Sequence, residues 1–338
     1  MKIIVLGRED IKKILELDKV IEGVRKVYCL KSEGKTVVWP SLEYHFEEEK
    51  AVMDIRSGYV KDENLHGAKM LNNFPLNIEL GIPSFCGMLL VFDSKTGVPL
   101  GVMDASYITS MRTGAAAALG VKALARKDSK NLLIVGSGLQ SIYMLAATLI
   151  AMPQIEKVRI ADPFKYENAV KFAENAIERL TNEFKIENLD KIEFCAVKDL
   201  SEALSDTDAV ITITRATSPI IKKEWVKPGT HFSCIGADMV GKEEIDPEIF
   251  RDARIFADDI VQCISFGEME IPYKMGIITR ESIAGELGEV LSGKIEGRKT
   301  DDEITIFDAT GLALLDLVTG KVAIDLAKEK GLGTIVEI

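Results

Sequence analysis

The sequence is short of several things, and each shortage removes a class of function. Only three of its 338 residues are histidine, widely spaced, so they offer no metal-ligand pattern. The five cysteines, Cys29, Cys86, Cys195, Cys234 and Cys263, include no Cys-x-x-Cys pair and sit among apolar neighbours. They read as packing residues of a reduced, cytoplasmic protein. Basic residues are outnumbered 53 to 42, and the net charge of −11 comes with no basic patch. That argues against nucleic acid or an anionic membrane as a partner. No apolar run approaches the roughly 18–20 residues needed to cross a bilayer. The opening MKIIVLGREDIKKILELDK is too charged for a signal peptide. Repeats and low-complexity linkers are absent too. An anionic small molecule is not excluded, because it needs only one or two local cations.

What is present is patterning, over a length that suits about two domains. Ile11, Ile14, Leu15, Val20, Ile21, Val24, Val27 and Leu30 recur at helical spacing, predicting one helix over 10–34 with a stop at Gly34. From 36 to 110 the pattern shortens to strands: TVVWPSLEYHF, KAVMDIRSGYV, HGAKMLNNF and FCGMLLVFDSKTGVPLGVMD, the last folding into a hairpin at DSKTG. This is an antiparallel block. Near Ser110 or Met111 an alanine-rich helix begins. Strands and helices then alternate through NLLIVG, KVRIAD, IEFCAV, AVITIT, THFSCIG, ARIFAD and EITIFD. Near-continuous apolar strands between helices indicate a parallel sheet covered on both faces. A long helical segment, GLALLDLVTGKVAIDLAKEKGLG, ends the chain.

Within NLLIVGSGLQSIYML a buried strand ends in Gly136-Ser137-Gly138, and Leu139 and Gln140 lead into a helix. A dinucleotide fingerprint requires this context. Gly136 allows the tight turn, and Gly138 lets backbone approach a pyrophosphate at the helix N-terminus. The third small position is Ser141 rather than glycine. The next strand ends in Asp162, 26 residues beyond Gly136. A carboxylate there accepts hydrogen bonds from ribose hydroxyls and repels a 2′-phosphate, favouring NAD over NADP.

The segments SMRTGAAAALGVKALAR, VGSGLQS, WVKPGTHFSCIGADMVGKEEID and GELGEVLSGKIEGRKTDDEITIFDATGLALLDL resemble the ornithine cyclodeaminase/mu-crystallin family. That family spans cyclodeaminases, an archaeal type of alanine dehydrogenase, imino-acid (ketimine) reductases and a non-catalytic crystallin branch. The resemblance implies an α/β fold: a Rossmann-type parallel-sheet domain over 113–311, and an α+β domain with an antiparallel sheet over 1–112 and 312–338 for substrate binding and dimerisation. It also implies a small amino- or imino-acid substrate, whose carboxylate would be gripped by Lys69 and Arg112. Asp238 aligns with the family's catalytic Asp, and Lys69 shares the catalytic role. Thr113, Thr214 and Asp308 join Gly136, Ser137, Gly138, Leu139, Gln140 and Asp162 on the cofactor side. Asp308 is equally a candidate helix N-cap. No metal is implied. One departure stands out: the family's early Pro-Pro-Arg or Pro-Pro-Lys reads Trp39-Pro40-Ser41 here. The first basic ligand is missing, and Arg56 or Lys50 are the candidates to replace it. The leading expectation is redox-neutral cyclodeamination of a diamino acid, L-ornithine to L-proline and ammonia, with NAD. Dehydrogenation of an amino acid or reduction of an imino acid is the alternative, and a binding protein of the crystallin kind the third.

Overall fold

The computed structural model describes residues 1–338. The chain opens with β1 (Lys2–Leu6), α1 (Arg8–Ile14) and α2 (Leu17–Ser32). Six strands follow: β2 (Thr36–Val38), β3 (Leu42–Phe46), β4 (Ala51–Val60), β5 (Leu65–Asn73), β6 (Phe85–Asp93) and β7 (Pro99–Asp104). Then come α3 (Ala105–Leu124), β8 (Asn131–Val135), α4 (Ser141–Ala151), β9 (Lys157–Ala161), α5 (Tyr166–Phe184), β10 (Glu193–Val197), α6 (Leu200–Leu204) and β11 (Ala209–Thr212). The rest is β12 (Thr217–Ile221), β13 (His231–Cys234), β14 (Glu243–Ile245), β15 (Ala253–Ala257), α7 (Ile260–Phe266), α8 (Glu270–Lys274), β16 (Ile283–Glu286), α9 (Leu287–Leu291), β17 (Ile304–Asp308), α10 (Ala313–Lys330) and β18 (Thr334–Glu337). Two compact units result: unit 1 is Met1–Arg112 with Leu312–Ile338, and unit 2 is Thr113–Gly311. No helix is long and apolar enough to cross a membrane.

Unit 1 is one mixed sheet in the order β18-β1-β7-β6-β5-β4-β2, with β3 also paired to β4. Every pairing is antiparallel except β1 with β7. The sheet's inner face is set by the period of two: Leu65, Gly67, Lys69 and Leu71 of β5 are buried in alternation. α10 packs on this face and on α2. The contact is close enough that a Cβ on Gly67 would fall 2.7 Å from Leu317. On the outer face Met70, Met88 and Leu90 stay exposed.

Unit 2 is an all-parallel sheet in the order β10-β9-β8-β11-β13-β17-β15-β16, with a small parallel pair, β12 and β14, beside it. The strand order reverses between β8 and β11. In open α/β sheets a ligand crevice opens at such a switch point, at the strands' carboxyl ends. Leu133, Val135, Val210, Phe232 and Ile306 form part of the core.

Three local expectations need correcting. The predicted helix over 10–34 is two helices, because Leu15 and Glu16 are extended (ψ 113° and 132°). The apolar spacing survives the joint, since Leu15 and Leu17 are both buried on either side of it. TVVWPSLEYHF is two strands rather than one, parted at Trp39–Ser41, where Pro40 has no N–H for a ladder. Finally, α3 begins at Ala105, not near Ser110. Asp104 Oδ1 accepts the Tyr107 amide at 2.8 Å, which starts the helix one and a half turns early. Arg112 is therefore inside α3, seven residues past its start (112 − 105), and cannot borrow the free amides of a helix end.

Candidate active site

In unit 1 the fold buries two cations and one anion together. Lys69 stands on the inner face of β5 in phase with Leu65 and Leu71, at 1% exposure. Its Nζ donates to Asp316 Oδ2 at 2.8 Å. Arg112 Nε donates to Asp316 Oδ1 at 3.1 Å, and Thr109 Oγ1, one turn earlier on α3, reaches the same oxygen at 3.3 Å. Arg112 engages Asp316 through Nε only, leaving the Nη pair of its fork without a protein acceptor. Arg56 on β4 lies opposite Lys69 in register, and its Nε pairs with Asp54 Oδ2 at 2.7 Å. Three cations against two carboxylates leave one positive charge over (3 − 2), which a single substrate carboxylate would balance.

This setting decides the protonation states. Burial lowers Lys69 to about 8; Asp316 pulls it back up, while Arg112 and Arg56 push it further down. Burial alone would raise Asp316, but Arg112 and Lys69 hold it below the usual carboxylate range. Asp316 thus stays ionised, and Lys69 can give up its proton near neutral pH.

In unit 2, β8 ends in a turn built for a phosphate. Gly136 has φ 116°, and a Cβ there would strike the Ile213 carbonyl oxygen at 2.3 Å, so only glycine fits. Around Gly138 the space is open to 4 Å, so the chain's own packing does not demand glycine there. The amides of Ser137, Gly138, Leu139 and Gln140 meet no acceptor within the chain. They precede α4, whose dipole favours an anion at that end. Gln140 Oε1 is buried without a partner. Ser141 Oγ donates to the Gly136 carbonyl at 2.8 Å, so serine braces the turn where a third glycine would only leave room. Asp162, after β9, accepts Ser137 Oγ at 2.5 Å and the amides of Phe164 and Lys165 at 3.0 and 2.9 Å. Burial would raise this carboxyl, but these hydrogen bonds, led by Ser137, keep it below its ordinary value. An ionised acid beside a glycine turn suits the diphosphate and ribose of a dinucleotide.

Further along the same sheet edge, Asp238 follows β13. Its Oδ1 is held by Lys242 Nζ at 2.5 Å, and Lys242 also donates to the Gly236 carbonyl at 3.1 Å. Thr214, after β11, donates its amide to Glu244 Oε1 at 2.6 Å. Asp308 ends β17 fully buried; its Oδ2 accepts the Met269 amide at 2.9 Å, while Oδ1 has no partner. Burial raises it to about 8. The N-cap of α10 is Leu312, so Asp308 is not that cap.

The chain matches the model of the ornithine cyclodeaminase/mu-crystallin family over residues 1–331. An alanine dehydrogenase from Archaeoglobus fulgidus is 34% identical to it, across 99% of this chain and 98% of that one. It belongs to this family. Among solved structures, an archaeal alanine dehydrogenase dimer with bound NAD has a TM-score of 0.91 at 33% identity, covering all of both chains. The Δ(1)-pyrroline-2-carboxylate reductase of Thermococcus litoralis, in complex with NADH and L-proline, has a TM-score of 0.89 at 33% identity, covering 98% of this chain and 99% of that one.

Within this cyclodeaminase/crystallin-family chain, the expected residues fall into two sets. Lys69, Arg112 and Arg56 come together in unit 1. Gly136, Ser137, Gly138, Leu139, Gln140, Asp162, Thr214, Asp238 and Asp308 all follow or end strands on one edge of the unit 2 sheet, and Thr113 is buried on α3. Lys50 lies in the exposed turn before β4 and Ser41 in the exposed link before β3, so neither is part of the Lys69 cluster. Asp316 was missed. Its signal was an acid inside the apolar helix stretch LALLDLV. Glu244 and Glu268, both fully buried, were missed because KEEID and GEMEI read as ordinary surface patterns.

Proposed function

We propose that this family member is an NAD(H)-dependent oxidoreductase that interconverts an imino acid and the corresponding amino acid. The observation that carries the reading is the Lys69–Arg112–Asp316 cluster, a buried site with one surplus positive charge and a free guanidinium fork. In this reading Arg112 takes the substrate carboxylate on its Nη pair. Asp316 holds both cations in place without cancelling them. Lys69, able to lose its proton near pH 8, donates it to the substrate nitrogen on reduction and takes it back on oxidation. Gly136 to Gln140 grip the cofactor diphosphate and Asp162 the adenosine ribose. When bound, the nicotinamide supplies or takes the hydride.

Cyclodeamination places a further demand on the site, because the distal ammonium of a diamino acid needs a carboxylate. Asp238 is the candidate, and Lys242 already occupies it. A second copy of the chain is the proposed partner, and the exposed Met70, Met88 and Leu90 of the outer sheet face are the surface that supports it.

The test is a substrate panel. Purified protein is given NAD⁺ with L-alanine, L-proline or L-ornithine, and NADH with Δ(1)-pyrroline-2-carboxylate or with pyruvate and ammonia. Lasting NADH production, or NADH consumption by an imino acid, is expected. Ammonia released from L-ornithine without net NADH would establish cyclodeamination instead.

A further inference from the structure

Glu244 is wholly buried on β14, and it forms no salt bridge. Its Oε1 accepts the Thr214 amide at 2.6 Å and its Oε2 the Gly236 amide at 3.0 Å. Thr214 lies two residues past β11 and Gly236 two residues past β13, neighbouring strands of the sheet. The last ladder-like bonds at this end are Ile213 N to the Val135 carbonyl and Ile235 N to the Thr212 carbonyl, both 2.9 Å. Beyond them one carboxylate bridges the two departing chains. The fit is tight: a Cβ on Gly236 would lie 2.5 Å from Cδ and both oxygens of Glu244.

Other buried acids hold the clamp in turn. Glu268 Oε1 accepts the amides of Glu244 and Ile245, both at 2.7 Å. Glu270 Oε2 accepts the Gly241 amide at 2.8 Å, and Asp308 Oδ2 the Met269 amide at 2.9 Å. Burial raises both carboxyls; the neighbouring Glu244 adds to the rise of Glu268, while hydrogen bonds from Thr212, Thr214 and Gly236 draw Glu244 part of the way back. Burying an acid is costly to fold, and the two amide bonds to Thr214 and Gly236 offset only part of that cost.

We propose that Glu244 is a positioning residue for the nicotinamide half of the cofactor. It holds the Thr214 and Gly236–Lys242 loops at one fixed separation, so that Thr214 and Asp238 present a rigid set of groups on the side of the switch point away from Gly136 and Asp162. The clamp itself stands on geometry; its service to the nicotinamide rests on the function proposed above.

The experiment compares Glu244→Gln with wild type in three measurements. Amide exchange of Thr214 and Gly236 in the ligand-free protein should rise by at least about tenfold, since Gln can accept from only one of the two amides. NADH affinity, by calorimetry, should fall by about tenfold for one lost charge-assisted bond, while ADP-ribose affinity stays at wild type. Turnover should fall by about 10²-fold, as expected of misplaced groups. A purely structural role predicts a lower melting temperature with the two ligands weakened together or not at all, and either result overturns the proposal. So does unchanged exchange at both amides. If Glu244→Gln does not fold, Gly236→Ala displaces the same carboxylate from the other side and should give the same split. A wild-type chain that binds neither nucleotide overturns the functional reading and this proposal together, and the exchange measurement then reports on the clamp alone.

Discussion

Asp316 Oδ2 sits 2.8 Å from Lys69 Nζ with both side chains out of solvent, and they are 247 residues apart in sequence. α10 brings the acid and β5 the lysine. A buried ion pair of this kind is weak evidence for stability, because desolvation offsets most of the Coulomb gain. Its value here is positional: one carboxylate orients Lys69 and Arg112 together, and Arg112 still has its fork to offer.

Asp316→Asn should therefore do more than lose one bond. Two buried cations would lose their counter-ion, costing about 3–5 kcal/mol of folding stability. Urea unfolding would measure it. Adding Lys69→Met to the variant should recover part of the loss, because the unpaired charge is removed. Strict additivity of the two changes would mean the residues are not coupled.

The pH profile follows from Lys69. Below about pH 8 it is an ammonium and can donate a proton; above, it cannot. The kcat/KM for imino-acid reduction should fall as pH rises through about 8, and the oxidative direction should rise through the same point. Asp316 raises Lys69, so Asp316→Asn should move this limb to lower pH. Lys69→Arg should abolish it, because arginine stays charged. A limb that is unmoved in both variants would assign the proton to another group.

Cofactor choice tests Asp162. Its carboxylate is ionised and already accepts Ser137 Oγ and two amides, so a 2′-phosphate would meet negative charge. NADH should be preferred over NADPH by more than about tenfold in kcat/KM, roughly 1.4 kcal/mol. Asp162→Ser should narrow the ratio. Equal use of both nucleotides by the wild type would remove Asp162 from the adenosine ribose.

His231 is buried and bonded to Thr305 Oγ1 through Nδ1 and to Ser233 Oγ through Nε2, both at 2.9 Å. Burial, and then Arg298, lower it to about 3. Its folded pKa lies below the ordinary value near 6.5, so between those values the unfolded chain holds a proton that the folded chain does not. Stability from this group is complete above about pH 6.5 and falls as the pH drops, by roughly 1.4 kcal/mol per unit. The difference in unfolding free energy between pH 7.5 and 5.5 should shrink in His231→Gln. An unchanged difference would mean that His231 is protonated inside the fold.

The parallel sheet, the glycine turn after β8 and the cations of unit 1 were all legible in the sequence, because each is written locally: apolar strands before glycines, and basic residues inside recognisable segments. The burial of Lys69 was not drawn from the sequence, although it stands in phase with Leu65 and Leu71. The partners of those residues were not legible. Asp316 acts on Lys69 and Arg112 only after α10 returns to the first sheet. The helix start at Ala105 was hidden too, since MDASYITS has the β-branched and aromatic character of a strand until Asp104 caps it. Burial of Glu244 depends on two strand ends meeting, which no periodicity records.

Lys242→Met tests whether Asp238 meets the substrate. The Lys242 ammonium holds Asp238 at 2.5 Å, and both belong to the same short loop. Lys242→Met keeps an unbranched chain of similar length and frees the carboxylate. If that carboxylate faces the substrate's distal end, L-ornithine binding should then improve relative to L-alanine, because the second ammonium replaces the lost lysine. The gain is bounded: the Asp238 side chain is 45% exposed, and screening at such a site limits a pair to about 1 kcal/mol, roughly a three- to tenfold change in relative affinity. Asp238→Asn in the same background should abolish the gain, while affinity for L-alanine stays within about twofold. Calorimetric titration of both amino acids into the NADH-loaded single and double variants measures all of these. Were ornithine to bind the Lys242→Met protein no better than the wild type, Asp238 would not face the distal end of the substrate, and its pairing with Lys242 would serve only to close the loop.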